Sequence, residues 1–264
     1  AHSWHPVPVL LWGGTAAADG LPGFDEVNCR QGSLGRFEAK HLLPIYDRPM
    51  VTYAIETLVS AGVTELMVVT GGTHAGEFLR LLGNGHEYGI DRLLYAYQER
   101  PGGIAEALGL TERFVDGDRV VVMLADNVVE RSLRPAVTNF LAQPAGARIV
   151  LARMDDPAHL RHLGVPELDG DGRVVRILEK PDDPPSSYVV TGIYFYDEHV
   201  FDIIPTLQPS GRGELEITDV NNWYVESRRM EYDVLEGFWG DAGESIDAYY
   251  EVNDFVRLHG ANKG

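Results

Sequence analysis

Lys40 heads the stretch Lys40-His41-Leu42-Leu43-Pro44-Ile45-Tyr46-Asp47-Arg48-Pro49-Met50, and upstream of it the pair Gly13-Gly14 closes the apolar run Val7–Trp12. Glycines let backbone N–H groups approach phosphate oxygens, and one lysine supplies the matching positive charge. Two later acids, Asp126 and Asp241, are of the kind that holds a divalent cation against phosphate oxygens. Together these residues describe an enzyme that handles a metal-bound nucleoside triphosphate. Each also has a plainer reading. Glycine pairs end strands for steric reasons alone, and most lysines are solvated. Asp126, just after Val120–Leu124, is either a metal ligand or a helix cap. Glu179-Lys180-Pro181 also reads as a strand end with a surface ion pair, and Trp239-Gly240-Asp241-Ala242-Gly243 as a turn packed on an aromatic ring. The order and spacing of the set carry the chemical signal.

The elements that must position them follow a β–α rhythm. Val7–Trp12 is a strand, and residues 15–37 form a long glycine-bearing loop. Val51, Ala54, Ile55, Leu58 and Val59 fall on one helical face that ends at Gly62. Leu66–Thr70, Leu93–Tyr97, Arg119–Leu124 and Arg148–Arg153 read as strands. His74–Leu82, Ile104–Phe114 and Leu133–Leu141 read as helices. This alternation implies a mostly parallel sheet with helices on both faces. Ligands in such sheets bind beyond the carboxyl ends of the strands, where Gly13-Gly14, Gln98 to Gly103 and Asp126 all fall. After about residue 155 the pattern changes. A hairpin turning at Glu167–Gly172, a strand at Tyr188–Tyr196, a helix at Glu216–Glu226, a strand at Tyr232–Glu236 and a closing helix at Ser245–His259 make the second substrate's side.

Composition narrows the class. With 40 acidic against 22 basic side chains the formal net charge is −18, which argues against nucleic acid as a partner. The single cysteine, Cys29, excludes an internal disulfide and a cysteine-based zinc site, so a reducing cytoplasm is the expected compartment. The nine histidines show no metal-ligand spacing. No apolar run approaches the ~20 residues that span a bilayer, and Ala1–Pro6 has no charged-then-apolar leader pattern.

Longer stretches carry a resemblance. They are Lys40–Met50, Pro101-Gly102-Gly103-Ile104-Ala105-Glu106-Ala107, Asp126-Asn127, Glu179-Lys180-Pro181, Val190–Asp197, Trp239–Gly243 and, most specific, Arg212-Gly213-Glu214-Leu215-Glu216-Ile217-Thr218-Asp219-Val220. From about Pro8 to Val256 the chain resembles the nucleotide-sugar pyrophosphorylases, and among them the glucose-1-phosphate thymidylyltransferases. The resemblance implies a Rossmann-like three-layer α/β sandwich with a small β-rich sugar-binding portion, similar to glycosyltransferase-A folds. It implies one domain over 1–264, with a nucleotide-binding half at about 7–153 and a sugar-phosphate-binding half at about 154–264. The implied reaction transfers a nucleoside monophosphate from an NTP, dTTP or UTP favoured, to a sugar-1-phosphate or similar phosphate. An NDP-sugar and pyrophosphate result, with Mg²⁺ as cofactor.

By the same resemblance Lys40 contacts the triphosphate, Gly13, Gly14, His41, Gln98, Pro101 and Gly103 form the nucleotide site, and Asp126 and Asp241 bind the metal. Gly164, Glu179, Val190 and Arg212 line the sugar-phosphate site, with Lys180 on the phosphate. Lys40, Asp126, Lys180 and Arg212 are the expected catalytic set. A homo-oligomer, dimer or tetramer, is a further expectation, although the chain closes soon after the helix holding Val256, where relatives often continue with helices that help form a tetramer. The first loop departs from the family pattern. Thr15-Ala16-Ala17-Ala18-Asp19-Gly20-Leu21-Pro22 lacks the arginine that supports the leaving pyrophosphate, and the loop is about ten residues longer than in relatives. Arg30 or Arg36 is the candidate replacement. His41 takes the place of a base-reading glutamine. An alternative reading follows: a catalytically weakened relative that binds nucleotide or nucleotide-sugar in a regulatory role.

Overall fold

The computed structural model describes residues 9–12, 40–72 and 74–264. Gly13, Gly14, Arg30 and Arg36 lie outside the described residues. A seven-stranded mixed sheet forms the centre. It contains β1 (Val9–Trp12), β4 (Glu65–Gly71), β5 (Arg92–Gln98), β6 (Val120–Leu124), β8 (Ala147–Arg153), β11 (Tyr188–Tyr196) and β12 (Met230–Val234), in the order β12-β8-β11-β6-β1-β4-β5. β6, β1, β4 and β5 run parallel, as do β12 and β8, while β11 is antiparallel to both its neighbours. The expected mostly parallel sheet is therefore present. Strands from before and after residue 154 share it, so the two expected halves meet within one sheet.

Alternation along each strand feeds two cores. Leu66, Val68, Val121, Met123, Ile193 and Phe195 pack with Val51, Ile55, Leu58 and Phe140 on one face. Met67, Val69, Val120, Val122, Tyr194 and Tyr196 pack with Leu108, Val220 and Tyr224 on the other. Successive side chains point to opposite faces, so a strand buried on both sides must be apolar throughout. The first face is covered by α1 (Met50–Ser60), α2 (Ala75–Leu82) and α5 (Arg134–Ala142); the second by α3 (Ile104–Gly109) and α8 (Ile217–Glu226). The result is the three-layer arrangement anticipated from the sequence. No helix among the described residues is long and apolar enough to cross a membrane.

Element boundaries differ in instructive places. The helix expected over Ile104–Phe114 breaks into α3 and α4 (Glu112–Val115). Gly109 weakens the helix, and the Thr111 hydroxyl turns back onto the Leu108 carbonyl at 2.7 Å. The strand expected at Tyr232–Glu236 is β12, shifted to Met230–Val234 because its partner is β8, with Met230 opposite Ala147. The closing helix, α9 (Ile246–His259), starts where Ser245 caps it by accepting the Ala248 N–H at 3.0 Å. Four short strands escaped the sequence reading: β2 (Pro44–Ile45) pairs antiparallel with β3 (Arg48–Pro49), and β7 (Asn127–Val129) with β13 (Trp239–Asp241), with Asp241 opposite Asn127. A three-residue strand is too short to show periodicity. The hairpin is β9 (Gly164–Leu168) with β10 (Val174–Glu179), as anticipated.

Asp197 fastens the far end of this assembly. Its buried carboxylate accepts from the Gly146 N–H at 2.6 Å, the Tyr224 hydroxyl at 2.7 Å and Arg229 at 2.9 Å. It thereby joins the end of β11 to the start of β8 and to α8. Asp197→Ala leaves those donors facing an apolar hole. A loss on the order of 3 kcal/mol in urea unfolding is expected, and a loss under about 1 kcal/mol would show that water replaces the carboxylate.

Candidate active site

The strands of the parallel half point their carboxyl ends at a single edge. The last residue of β1, Trp12, is in register with Leu124, the last residue of β6. Two residues on, the chain reaches Asp126, only 6 % exposed. A lone buried carboxylate would be costly, but this one is surrounded by donors. Lys40 Nζ lies 2.9 Å from its Oδ2 and His41 Nε2 lies 3.4 Å from the same oxygen. The Asn127 amide donates to Oδ1 at 3.1 Å. Burial alone would push the Asp126 carboxyl up; Lys40 and His41 overcome it and hold the group well below the usual carboxylate range. Burial likewise works against the Lys40 ammonium, yet Asp126 and Asp241 outweigh it and keep the lysine charged.

Asp241 arrives from the other side, at the end of β13. Its carboxylate accepts the Gly243 N–H at 2.9 Å, and the Ala242 N–H returns to the Asp126 carbonyl at 2.9 Å. Burial, with the Asp126 charge nearby, pushes the Asp241 carboxyl up to about 7. Two carboxylates that resist joint ionisation suit a divalent cation, whose charge would offset both. Mg²⁺ is bound through one or two carboxylates, with its other oxygens from substrate and water. No cluster of three or more His, Cys, Asp or Glu able to cage a metal occurs among the described residues. The two carboxylates are a donor set that fits a divalent cation arriving with phosphate.

Beyond the carboxylates opens a cleft of about 460 Å³, and it gathers most of the residues singled out in the sequence: Lys40, Gly103, Asp126, Gly164, Glu179, Lys180, Val190, Arg212 and Asp241. Glu179 ends β10 and accepts from the Thr218 hydroxyl at 3.0 Å. Lys180 follows with φ of 48°, its N–H on the Leu163 carbonyl, and has no ion pair among the described residues. The strand end of the plainer reading is present, in Glu179 at the close of β10. Arg212 sits at the lip, held by Glu216 at 2.9 and 3.0 Å.

Three expected nucleotide-site residues lie behind or beside the cleft. His41 is buried and faces Asp126; burial pushes its pKa down, so it sits neutral behind the carboxylate and away from the cleft wall. Gln98 is buried at the end of β5, its amide donating to the Gly103 carbonyl at 3.2 Å and to Glu106 at 3.3 Å. Pro101 is exposed on the loop between them. Gly103 cannot change: its φ is +89°, and a Cβ there would overlap the Leu215 carbonyl. This contact, with the Leu215 N–H on the Gly102 carbonyl at 2.8 Å, ties the Pro101–Ala107 stretch to the Arg212–Val220 stretch.

Further cleft residues were not assigned a role from sequence. Trp239 and Thr218 lay inside quoted motifs, which was the available signal. Tyr194 lay inside the quoted Val190–Asp197 stretch as well; burial, with Glu179 nearby, pushes its phenol far up. Glu244 gave no signal; it meets His159 at 2.5 Å from across the cleft mouth.

Comparison with known proteins agrees with this geometry. Residues 33–258 match the nucleotidyl transferase family. A glucose-1-phosphate thymidylyltransferase of Actinoplanes sp. is 42% identical over 229 residues, covering 86% of this chain and 74% of the relative. A Bacillus anthracis protein assigned as a glucose-1-phosphate thymidylyltransferase, crystallised with sucrose, superposes with a TM-score of 0.81 at 38% identity, over 96% of this chain and 95% of its own. UDP-glucose pyrophosphorylase bound to UDP-glucose shares the fold, with a TM-score of 0.78 at 19% identity over 96% and 99% of the two chains. The class defined by fold and cleft is thus an α/β transferase with its site at the carboxyl edge of the sheet. The chain belongs to the nucleotidyl transferase family.

Gly243 is a tight point of the site. A Cβ there would overlap both Asp126 Oδ2 and Lys40 Nζ. Gly243→Ala should keep its melting temperature within a few degrees yet lose about 100-fold in nucleotidyl transfer, because an ångström of displacement in a positioned group costs that much. Near wild-type pyrophosphate release would show that the carboxylate and lysine can move apart harmlessly.

Proposed function

We propose that this chain joins a nucleoside triphosphate, dTTP or UTP, to a sugar-1-phosphate and releases pyrophosphate. One observation carries the reading: Lys40, Asp126 and Asp241 share a single cleft with Glu179, Lys180 and Arg212. The first group suits a triphosphate and the second a phosphorylated sugar. Transfer at the α-phosphorus needs in-line positioning and charge neutralisation more than covalent chemistry. Lys40, kept charged by its acidic neighbours, neutralises the α-phosphate. Asp126 and Asp241 hold Mg²⁺, which when bound screens phosphate charge. Gln98 and Gly103, with Gly13, Gly14 and the loop around Pro101, receive the nucleotide. Gly164 and Val190 flank the sugar, Glu179 accepts its hydroxyls, and Lys180 and Arg212 take its phosphate. Arg212 must turn from Glu216 to do so, a short swing for an exposed guanidinium. His41 supports Asp126 and leaves base reading to Gln98 and the backbone.

In this reading 1–264 is one functional domain with a nucleotide half at about 7–153 and a sugar half at about 154–264, working in the cytoplasm as a homo-oligomer. The relatives named as glucose-1-phosphate thymidylyltransferases make glucose-1-phosphate and dTTP the first pair to try.

The test is pyrophosphate release with Mg²⁺ over a grid of five nucleoside triphosphates and several sugar-1-phosphates. Strong release in one cell is expected, and Asp126→Asn should lower it at least ~100-fold while the fold survives. A fully active Asp126→Asn would remove that carboxylate from the mechanism. Silence across the grid, with nucleotide binding intact by calorimetry, would instead favour the weakened binding relative suggested by the Thr15–Pro22 stretch, which lacks the family's arginine.

A further inference from the structure

Asn127 is 1 % exposed and stands where three strands meet. Its Oδ1 accepts the Gly192 N–H at 2.8 Å and the Trp239 indole N–H at 2.7 Å. Two donors on one atom identify that atom as the oxygen, so the amide nitrogen must face the other way. There it donates to Asp126 Oδ1 at 3.1 Å. The amide has no freedom to flip without setting N–H against N–H. One carboxylate oxygen of Asp126 is thereby occupied, and the other, Oδ2, is left for Lys40 and the cleft.

The surrounding backbone is shaped around this amide. Gly192 lies just beyond Ile193, which is opposite Met123 in the β11–β6 ladder, and inside the irregularity between Val190 and Tyr194 in the β11–β8 pairing. Its N–H takes the side-chain acceptor in place of a strand partner. A Cβ on Gly192 would come within 2.6 Å of Asn127 Nδ2 and 2.8 Å of Leu124. Asn127 is also the register partner of Asp241 across β7–β13. Trp239, two residues from Asp241, lines the cleft with Val190 and Glu179.

We infer that Asn127 is a positioning residue: its clamped amide fixes the rotation of the Asp126 carboxylate and, through Trp239, ties the wall of the sugar-phosphate pocket to the metal side of the site. It touches neither substrate nor metal. The chain of contacts runs Trp239 indole, Asn127 amide, Asp126 carboxylate, so an aromatic ring lining the Glu179 side of the cleft sets the orientation of a group on the metal side. Groups that orient a metal-ligating side chain are worth about 10- to 100-fold in metal affinity or activity when removed. The inference rests on Asp126 as a metal ligand.

The test uses Asn127→Ala and Trp239→Phe, the latter keeping an aromatic ring and deleting only the indole N–H from the network. In both, the Mg²⁺ concentration for half-maximal pyrophosphate release should rise about tenfold, with the rate deficit shrinking as Mg²⁺ is raised. With dTTP bound and no sugar phosphate present, the further gain in melting temperature on adding MnCl₂ should be smaller in both variants than in the wild type. A merely structural asparagine would lower the melting temperature without moving the Mg²⁺ requirement. If Asn127→Ala does not fold, Trp239→Phe decides. A wild-type Mg²⁺ requirement together with MnCl₂ gains equal to the wild type's overturns the inference. An inactive Asp126→Asn alongside that result would sink only the role of Asn127; an active Asp126→Asn would sink the site reading itself.

Discussion

The buried charge of Asp126 is the constraint on which the site depends. A carboxylate taken out of water must be matched by donors or it becomes protonated. Here the match comes from Lys40, His41 and Asn127, drawn from both sides of the sheet edge. Each donor in turn imposes a requirement on its neighbours. Lys40 can reach only because Gly243 has no side chain, and Asn127 can turn its amide only because Gly192 has none. Asp241 then adds a second acid that is hard to ionise beside the first, which prepares the pair for a cation.

Support for this cluster is long-range. Ile45 and Met50 on the Lys40 side pack with Val128 beside the Asp126 strand, and with Ala242, Val252 and Val256 from the last part of the chain. The Tyr53 hydroxyl donates to the Ile45 carbonyl at 2.8 Å, and the Tyr249 hydroxyl to the Pro44 carbonyl at 2.5 Å. The helix that closes the chain thus braces the segment carrying the lysine. A small apolar cluster beneath a polar site holds side chains to fractions of an ångström, which is the tolerance such chemistry requires.

The chain as a whole is strongly acidic, yet the cations that matter are concentrated at one cleft. Acidic surface discourages polyanions, and in the cleft three cations, Lys40, Lys180 and Arg212, stand among six acids, so a small phosphate ester suits it best with a divalent cation. Their conditions differ. Lys40 is largely buried and bonded to Asp126, whereas Arg212 is exposed and shared with glutamates. The first is a fixed charge; the second can be redeployed at low cost, because exposed ion pairs contribute little.

Periodicity was enough to show the β–α alternation with helices on both faces and the closing helix, because burial on two faces leaves a continuous apolar imprint, and turn residues marked the hairpin after Gly164. Motif order marked Lys40, Asp126, Glu179, Lys180, Arg212 and Asp241, whose chemistry follows from residue type. The break between α3 and α4 is local, made by Gly109 and the Thr111 hydroxyl, whereas the β7–β13 pairing and the His159–Glu244 contact left no such imprint, since each depends on segments brought together only by folding. The same holds for His41, whose type said only that it has one donor and one acceptor; which group it meets was decided by the depth of Asp126. The roles of Gly192 and Gly243 belong to tertiary structure as well. A missing Cβ has meaning only against the atom that would collide with it, and that atom lies far away in sequence.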